Sequence, residues 1–136
     1  MSEFQNRLND LLDEFELFDD WEERYRYIID LGKDLAPLAP EEKNAETKVL
    51  GCASQVWLVM DDAPEGILRF RGESDAFIVK GLIAVLIRLL DGLPYSEIQE
   101  FSIRDTLAQL GLNEALSSQR TNGLMSMVER LKKATA

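Results

Sequence analysis

The sequence of 136 residues contains no histidine and a single cysteine, Cys52. Without histidine, neither a Ser-His-Asp triad nor a Cys-His pair can form within the chain. One cysteine excludes an intramolecular disulfide, the usual structural zinc sites and a cluster held by several thiolates of one chain. An oxygen-ligand site for magnesium or calcium stays open in principle, but no EF-hand spacing occurs. We therefore expect no metal site.

Basic residues are in deficit, with 15 lysines and arginines against 25 aspartates and glutamates and a net charge of −10. Binding to a phosphate backbone needs a basic face, so this balance argues against nucleic acid and against anionic membrane surfaces as partners. Long apolar runs are also missing. The most apolar stretch, 76–90, is too short to span a bilayer and contains Lys80 and Arg88.

A hydrophobic content of 46% is sufficient for one domain with its own core, so we expect a single domain over 1–136. The first twenty residues are amphipathic and acidic, which does not fit a secretory signal. A single unpaired thiol is typical of proteins in a reducing compartment, and we therefore expect a cytoplasmic protein.

The order of the predicted elements indicates an α+β fold rather than a wound βαβ sheet. Two amphipathic helices come first, a short antiparallel hairpin follows, and further helices complete the chain. We expect Gly72 to mark a turn, Ser74 and Asp75 to cap the central helix, and Gly111 to end a short one. The predicted helices span 2–15, 21–35, 76–90, 96–100, 106–110 and, after a cap at Ser117, up to 133; the strands span 55–60 and 67–71, and a polar loop spans 41–48.

The cysteine lies where this polar loop meets the first strand, among glycine, alanine, serine and glutamine. Gly51 can adopt backbone conformations closed to other residues and so present the thiol on a tight turn. A lone free cysteine is commonly a small buried hydrophobe, but core cysteines have apolar neighbours. The setting of Cys52 therefore favours a reactive thiol.

Four separated segments, in order, resemble the SufE and CsdE proteins. The segment VLGCASQVW (49–57) resembles their cysteine loop, and GESDAFIVKGL (72–82) resembles the signature at the start of their central helix. Residues 21–32 resemble the N-terminal helix, and 116–124 the C-terminal motif. The resemblance runs from about Asp20 to Arg130; one departure is Ser118, where the family often has proline.

The resemblance implies a sulfur acceptor rather than an enzyme. In this family the cysteine that matches Cys52 takes persulfide sulfur from a cysteine desulfurase, of SufS or CsdA type, and stimulates that enzyme. The pyridoxal phosphate belongs to the desulfurase, so the resemblance implies no cofactor for this chain. The sulfur then passes to an iron–sulfur scaffold complex or another downstream acceptor. The implied fold is α+β, a small curved antiparallel sheet flanked by helices, of the SufE/NifU-like type.

The thiolate is the reactive form, and without histidine its activation must come from a cation, from backbone N–H groups or from the partner. The resemblance places Arg120 close to the cysteine loop, which makes it the candidate thiolate stabiliser; a solvated arginine in a first helical turn is the alternative. Candidate partner-binding residues are Gly51, Ser54, Asp75 and Lys80. For Asp75, a purely structural role at a helix N-terminus is an alternative.

Two other functions are compatible with parts of the sequence. A protein-interaction module of a sulfur-transfer system, with an incidental cysteine, predicts that Cys52→Ser changes no activity. A thiol-dependent hydrolase predicts an acyl-enzyme on Cys52, but the missing histidine disfavours it.

Overall fold

The computed structural model describes residues 2–112 and 116–136, which form six α-helices and one two-stranded antiparallel sheet. This arrangement confirms the predicted α+β fold. The helices are α1 (Glu3–Phe15), α2 (Trp21–Lys33), α3 (Phe77–Leu90), α4 (Tyr95–Glu100), α5 (Ile103–Leu110) and α6 (Ser118–Ala134), and the strands are β1 (Val56–Met60) and β2 (Phe70–Ser74). None of the described helices has the length and apolar character needed to cross a membrane.

The apolar helix α3 lies at the centre of the fold, and α2 packs closely along it. Gly32 and Gly81 make this approach possible, because a Cβ added at Gly81 would lie 2.6 Å from the carbonyl carbon of Ile28. Ile28 and Ile83 are fully buried, as expected for the interior of the predicted buried helix and its neighbour. The pairing of the two helices therefore depends on residues without side chains.

The second strand differs from the prediction. We expected a strand over 67–71 and a turn at Gly72, but β2 runs from Phe70 to Ser74, with Gly72 opposite Leu58. Leu68 exchanges backbone hydrogen bonds with 92–93 instead, which removes it from the hairpin. Gly72 is required inside the strand because an added Cβ would lie 2.8 Å from Leu58 Cδ2.

The predicted cap of the central helix is also wrong. The N-cap of α3 is Ala76, which has no capping side chain. Asp75 instead accepts a hydrogen bond from the backbone N–H of Gln55, at 3.0 Å, and Ser74 accepts one from the N–H of Ala76. The cap expected at Ser117 and the helix end expected at Gly111, a left-handed C-cap, are confirmed. The side chains of Ser2 and Asp20 cap α1 and α2 in the same way.

Smaller corrections concern element ends. The second helix stops at Lys33, the helix expected at 106–110 already begins at Ile103 behind the cap Ser102, and the polar loop contains a 3₁₀ turn at Pro40–Glu42. That turn is tied to the hairpin because Arg71 pairs with both Glu42 and Asp61. The hydrogen bond from the Arg71 guanidinium holds the pKa of Glu42 at about 2.

Replacing Gly81 by alanine should destabilise the fold. The added methyl group meets backbone rather than a movable side chain, so the helices must separate, at a cost of at least about 2 kcal/mol. Urea unfolding measures the change. Gly66→Ala is the comparison: Gly66 has a positive φ of 79° and open space around it, so any loss there is backbone strain, whereas Gly81 lies in α3 without a positive φ and can lose stability only through crowding. An unchanged or increased free energy of unfolding for Gly81→Ala would contradict the close-packing account.

Candidate functional site

The cysteine lies in a loop closed at its base by strand pairing. The Val49 N–H donates to the Val56 carbonyl at 2.8 Å, and Lys48 forms a bridge with Trp57. Residues 50–55, called the cysteine loop below, therefore connect two paired segments. The loop projects from the end of the hairpin opposite the 61–69 turn.

Gly51 gives the loop its shape and its close fit to α6. Its φ is +91°, a left-handed conformation that favours glycine. An added Cβ would also lie 2.7 Å from Ser126 Oγ on α6. A side chain at position 51 would therefore strain the backbone and push the loop away from the helix.

The Cys52 thiol points towards α6 and is partly buried there. Its Sγ donates to the carbonyl oxygen of Gly123 at 3.6 Å, and a Cβ on Gly123 would lie 3.5 Å from Sγ. A cavity of about 210 Å³ adjoins the thiol. Its walls come from the cysteine loop and from the facing sides of α3 and α6: Cys52, Ala53, Ser54, Val56, Val79, Leu82, Ser117, Gln119, Arg120, Gly123 and Met127.

Burial raises the pKa of the Cys52 thiol above its ordinary value. The hydrogen bond to Gly123 acts in the same direction, since only the protonated thiol can donate to a carbonyl. At neutral pH the resting protein therefore holds Cys52 as a neutral thiol, the less nucleophilic form.

The cavity brings together two predicted site residues beside the cysteine. Ser54 and Arg120 both line it, and Ser117, the cap of α6, lies next to them. Arg120 is exposed, and its guanidinium lies 5.9 Å from the ring centroid of Tyr25 on α2. The cation is thus at the cavity wall and rests on an aromatic ring.

Asp75 and Lys80, the other predicted partner-binding residues, lie outside the cavity lining. Asp75 fastens the loop to the start of α3, since its N–H also donates to the Gln55 carbonyl at 3.3 Å. Lys80 places its Nζ 6.0 Å from the Phe77 ring. Burial alone would raise the pKa of Glu73, but hydrogen bonds from Lys43 and the Leu38 N–H, together with the charge of Lys80, lower it overall.

Several residues of the site were not predicted: Ser126, which lies against Gly51 from α6, and Val79, Leu82 and Met127, which form the apolar wall. For Gly123 the sequence leaves a site role and close helix packing open, and the structure places it against Cys52. Arg120, Gly123 and Ser126 recur every three residues, which puts them along one side of a helix. This spacing could have grouped Gly123 and Ser126 with Arg120.

No cluster of three or more potential metal-ligating side chains occurs in the described parts of the chain. The groups that line the cavity include the Cys52 thiol, the Ser54 and Ser117 hydroxyls and the Arg120 guanidinium. Such a set can hold and transfer a group on sulfur.

Comparison with known families gives one match over nearly the whole chain. The family model "SufE: Fe-S metabolism associated domain" matches residues 9–135. An uncharacterized SufE-like protein of Rhizobium etli is 48% identical over 132 residues, covering 95% of this chain and 89% of the relative. Another from Rhizobium meliloti is 48% identical over 128 residues, covering 92% and 91%.

A solved structure shares the fold. The solution structure of a hypothetical protein from Thermus thermophilus superposes with a TM-score of 0.75, at 21% identity, covering 95% of this chain and 93% of that one. At this identity the likeness supports the architecture alone.

Alkylation of Cys52 by iodoacetamide should report the raised pKa. We expect the alkylation rate to rise with pH, with its midpoint at a higher pH in the folded protein than in the urea-unfolded chain. The unfolded thiol should titrate at about 8.5. Because the folded pKa is the higher one, this thiol's contribution to stability is complete below the unfolded pKa and is lost as pH rises through the folded pKa. Cys52→Ser provides the blank. Coincident midpoints for folded and unfolded protein would contradict the burial account.

Proposed function

The chain belongs to the SufE family, whose domain is associated with iron–sulfur metabolism, and on this premise we propose that Cys52 accepts persulfide sulfur from a cysteine desulfurase. The observation that supports the proposal most directly is the position of Cys52. The thiol is the chain's only one, on a loop fixed by Gly51, beside a cavity with room for an added atom.

The reaction is a thiol exchange. The Cys52 thiolate attacks the outer sulfur of a persulfide on the desulfurase, a new S–S bond forms, and the old one breaks. The desulfurase cysteine leaves as a thiolate and can take up the proton that Cys52 gave up. The outer sulfur keeps its oxidation state as it moves, so no oxidant or reductant is consumed. The pyridoxal phosphate that generates the sulfur belongs to the desulfurase.

In the resting site, the Cys52 thiol is held in a form that attacks a persulfide slowly. A neutral, partly buried thiol reacts slowly with small molecules, so the transfer step requires the desulfurase to draw Cys52 off Gly123. This movement loses one weak sulfur hydrogen bond, while the closure at Val49 and Val56 can persist. Once the thiolate is exposed, Arg120 is the cation at the cavity wall able to stabilise it.

After transfer, the cavity can shelter the persulfide. One water molecule has about 30 Å³ of liquid volume and a sulfur atom is of similar size, so a volume of about 210 Å³ accommodates the added atom. The walls at Val79, Leu82 and Met127 are apolar and offer it no nucleophile. With no second cysteine in the chain, the persulfide cannot discharge within the same monomer.

The protein is thus proposed to be a cytoplasmic carrier and desulfurase activator, with no catalytic turnover of its own. Removing sulfur from the desulfurase frees that enzyme's cysteine for another cycle, which explains stimulation without a shared active site. The recipient is an iron–sulfur scaffold complex or another downstream thiol.

Intact mass spectrometry after incubation with cysteine and a desulfurase of SufS or CsdA type tests the acceptor role. We expect addition of one sulfur mass to the wild-type protein, removed by reductant and absent from Cys52→Ser, since a serine oxygen cannot hold sulfane sulfur. An unmodified wild-type protein with both desulfurase types would contradict the proposal. Unchanged desulfurase stimulation by Cys52→Ser would instead support the interaction-module alternative.

A time course of the same experiment tests Arg120. We expect Arg120→Gln to slow sulfur loading about tenfold or more, the effect of one charge-assisted hydrogen bond. Arg26→Gln is the matched control, because Arg26 is an exposed arginine on α2 outside the cavity lining. Equal loading rates for Arg120→Gln and the wild type would remove Arg120 from the mechanism.

A further inference from the structure

Large apolar side chains are strongly exposed at four positions of the described chain. Two of them lie near the turn between α1 and α2, Leu17 at 78% and Trp21 at 53% exposure. The other two, Leu50 at 80% and Phe77 at 72%, belong to segments that meet at the cysteine loop. Neither of these two contributes to the core at this exposure, so folding alone does not account for them.

Backbone hydrogen bonds place Leu50 and Phe77 on the same rim. Leu50 follows Val49, whose N–H donates to the Val56 carbonyl, so Leu50 and Gln55 are the first and last residues of the loop beyond this pair. Gln55 exchanges two hydrogen bonds with Asp75, and Phe77 begins α3 two residues later. The two exposed apolar residues therefore belong to the two chain segments that are joined at the base of the loop carrying Cys52.

We propose that Leu50 and Phe77 are the apolar anchors by which the cysteine desulfurase docks over the cysteine loop. The inference rests on the proposed function, since it takes the desulfurase as the occupant. Sulfur transfer requires the partner's sulfur within bonding distance of Cys52 Sγ, so the partner surface must cover the loop. A specific interface buries about 800 Å² on each side, far more than one thiol, and therefore includes the loop rim.

The rim has the composition of an interface centre. Exposed apolar anchors surrounded by polar groups contribute most of the affinity when they fill pockets on a partner. Here the hydrogen-bonded pair of polar residues Gln55 and Asp75 lies between the segments of Leu50 and Phe77, and the Lys80 ammonium lies 6.0 Å from the Phe77 ring centroid. We infer that the desulfurase offers two apolar pockets, one on each side of the opening through which its persulfide reaches Cys52.

Anchoring at Leu50 also links docking to release of the thiol. Leu50 is two residues from Cys52 and separated from it by Gly51, the position with left-handed backbone. A partner that seats Leu50 in a pocket holds the chain at the hinge beside Cys52. The stored thiol can then be moved without disturbing the strand pairing at Val49.

Calorimetric titration of the desulfurase with wild type, Leu50→Ser, Phe77→Ser and the double variant tests the proposal, with both SufS-type and CsdA-type enzymes. We expect the Kd to rise about tenfold for each single variant and further for the double, as for interface anchors. Leu17→Ser is the matched control, because it makes the same chemical change at a similar exposure, near the turn between α1 and α2 rather than beside the cysteine loop. Its Kd should stay within about twofold of wild type.

Unchanged melting temperature and unchanged alkylation rate of free Cys52 would show that the variants keep the fold and the loop. A double variant with wild-type affinity, or a Leu17→Ser variant weakened equally, would overturn the proposal. A double variant that only loses self-association in sedimentation would assign the rim to a second copy instead and equally overturn it. If the wild-type protein accepts sulfur while the double variant binds the desulfurase normally, the docking inference fails and the proposed function stands. If the wild-type protein takes no sulfur from either enzyme, both the proposed function and the docking inference fail.

Discussion

The contact between Cys52 and the second turn of α6 is the interaction on which the site depends. Gly123 has no side chain, so the thiol can approach the helix backbone and donate to a carbonyl that the helix leaves accessible. The same closeness buries the sulfur and keeps it protonated. The thiol is thus held in its less nucleophilic, protonated form by its position alone.

The remainder of the fold holds the two sides of this contact in place. Gly32 and Gly81 bring α2 against α3, and α3 provides the apolar cavity wall. The loop side is fixed by the Val49–Val56 pairing and by Asp75, which joins the loop to the start of α3. Between these supports the cysteine loop is held on α6 by a weak sulfur hydrogen bond and by packing of Gly51 and Cys52.

Much of the helical framework, and the loop position of Cys52, could be predicted from local sequence. Helical periodicity and caps indicated the helices around a central apolar one, and the small neighbours of Cys52 indicated that the thiol lies on a loop rather than in the core. The errors arose where a distant residue decides the local structure. The sequence predicts a turn at Gly72, but Gly72 lies in a strand, where Leu58 and Ile83 occupy the space that a side chain would need. It predicts a helix cap at Asp75, but the Asp75 carboxylate accepts a hydrogen bond from Gln55, twenty residues earlier.

The contact between Cys52 and Gly123 also depends on a distant residue, since the two are 71 positions apart in the sequence. No local pattern reports such a pairing, and the resemblance alone brought Arg120 near the loop. The exposure of Leu50 and Phe77 was equally hidden, because an apolar residue in a sequence suggests burial until the fold shows otherwise.

If Cys52 accepts sulfur as proposed, the cavity beside it shelters the resulting persulfide in the folded protein. The most direct test of this sheltering is the rate at which glutathione removes sulfur from the Cys52 persulfide, loaded by a desulfurase and then isolated, compared with the same persulfide on a peptide spanning residues 46–58. The structure predicts much slower loss from the folded protein, because the cavity holds the outer sulfur away from solvent. Equal rates of loss from protein and peptide would contradict it.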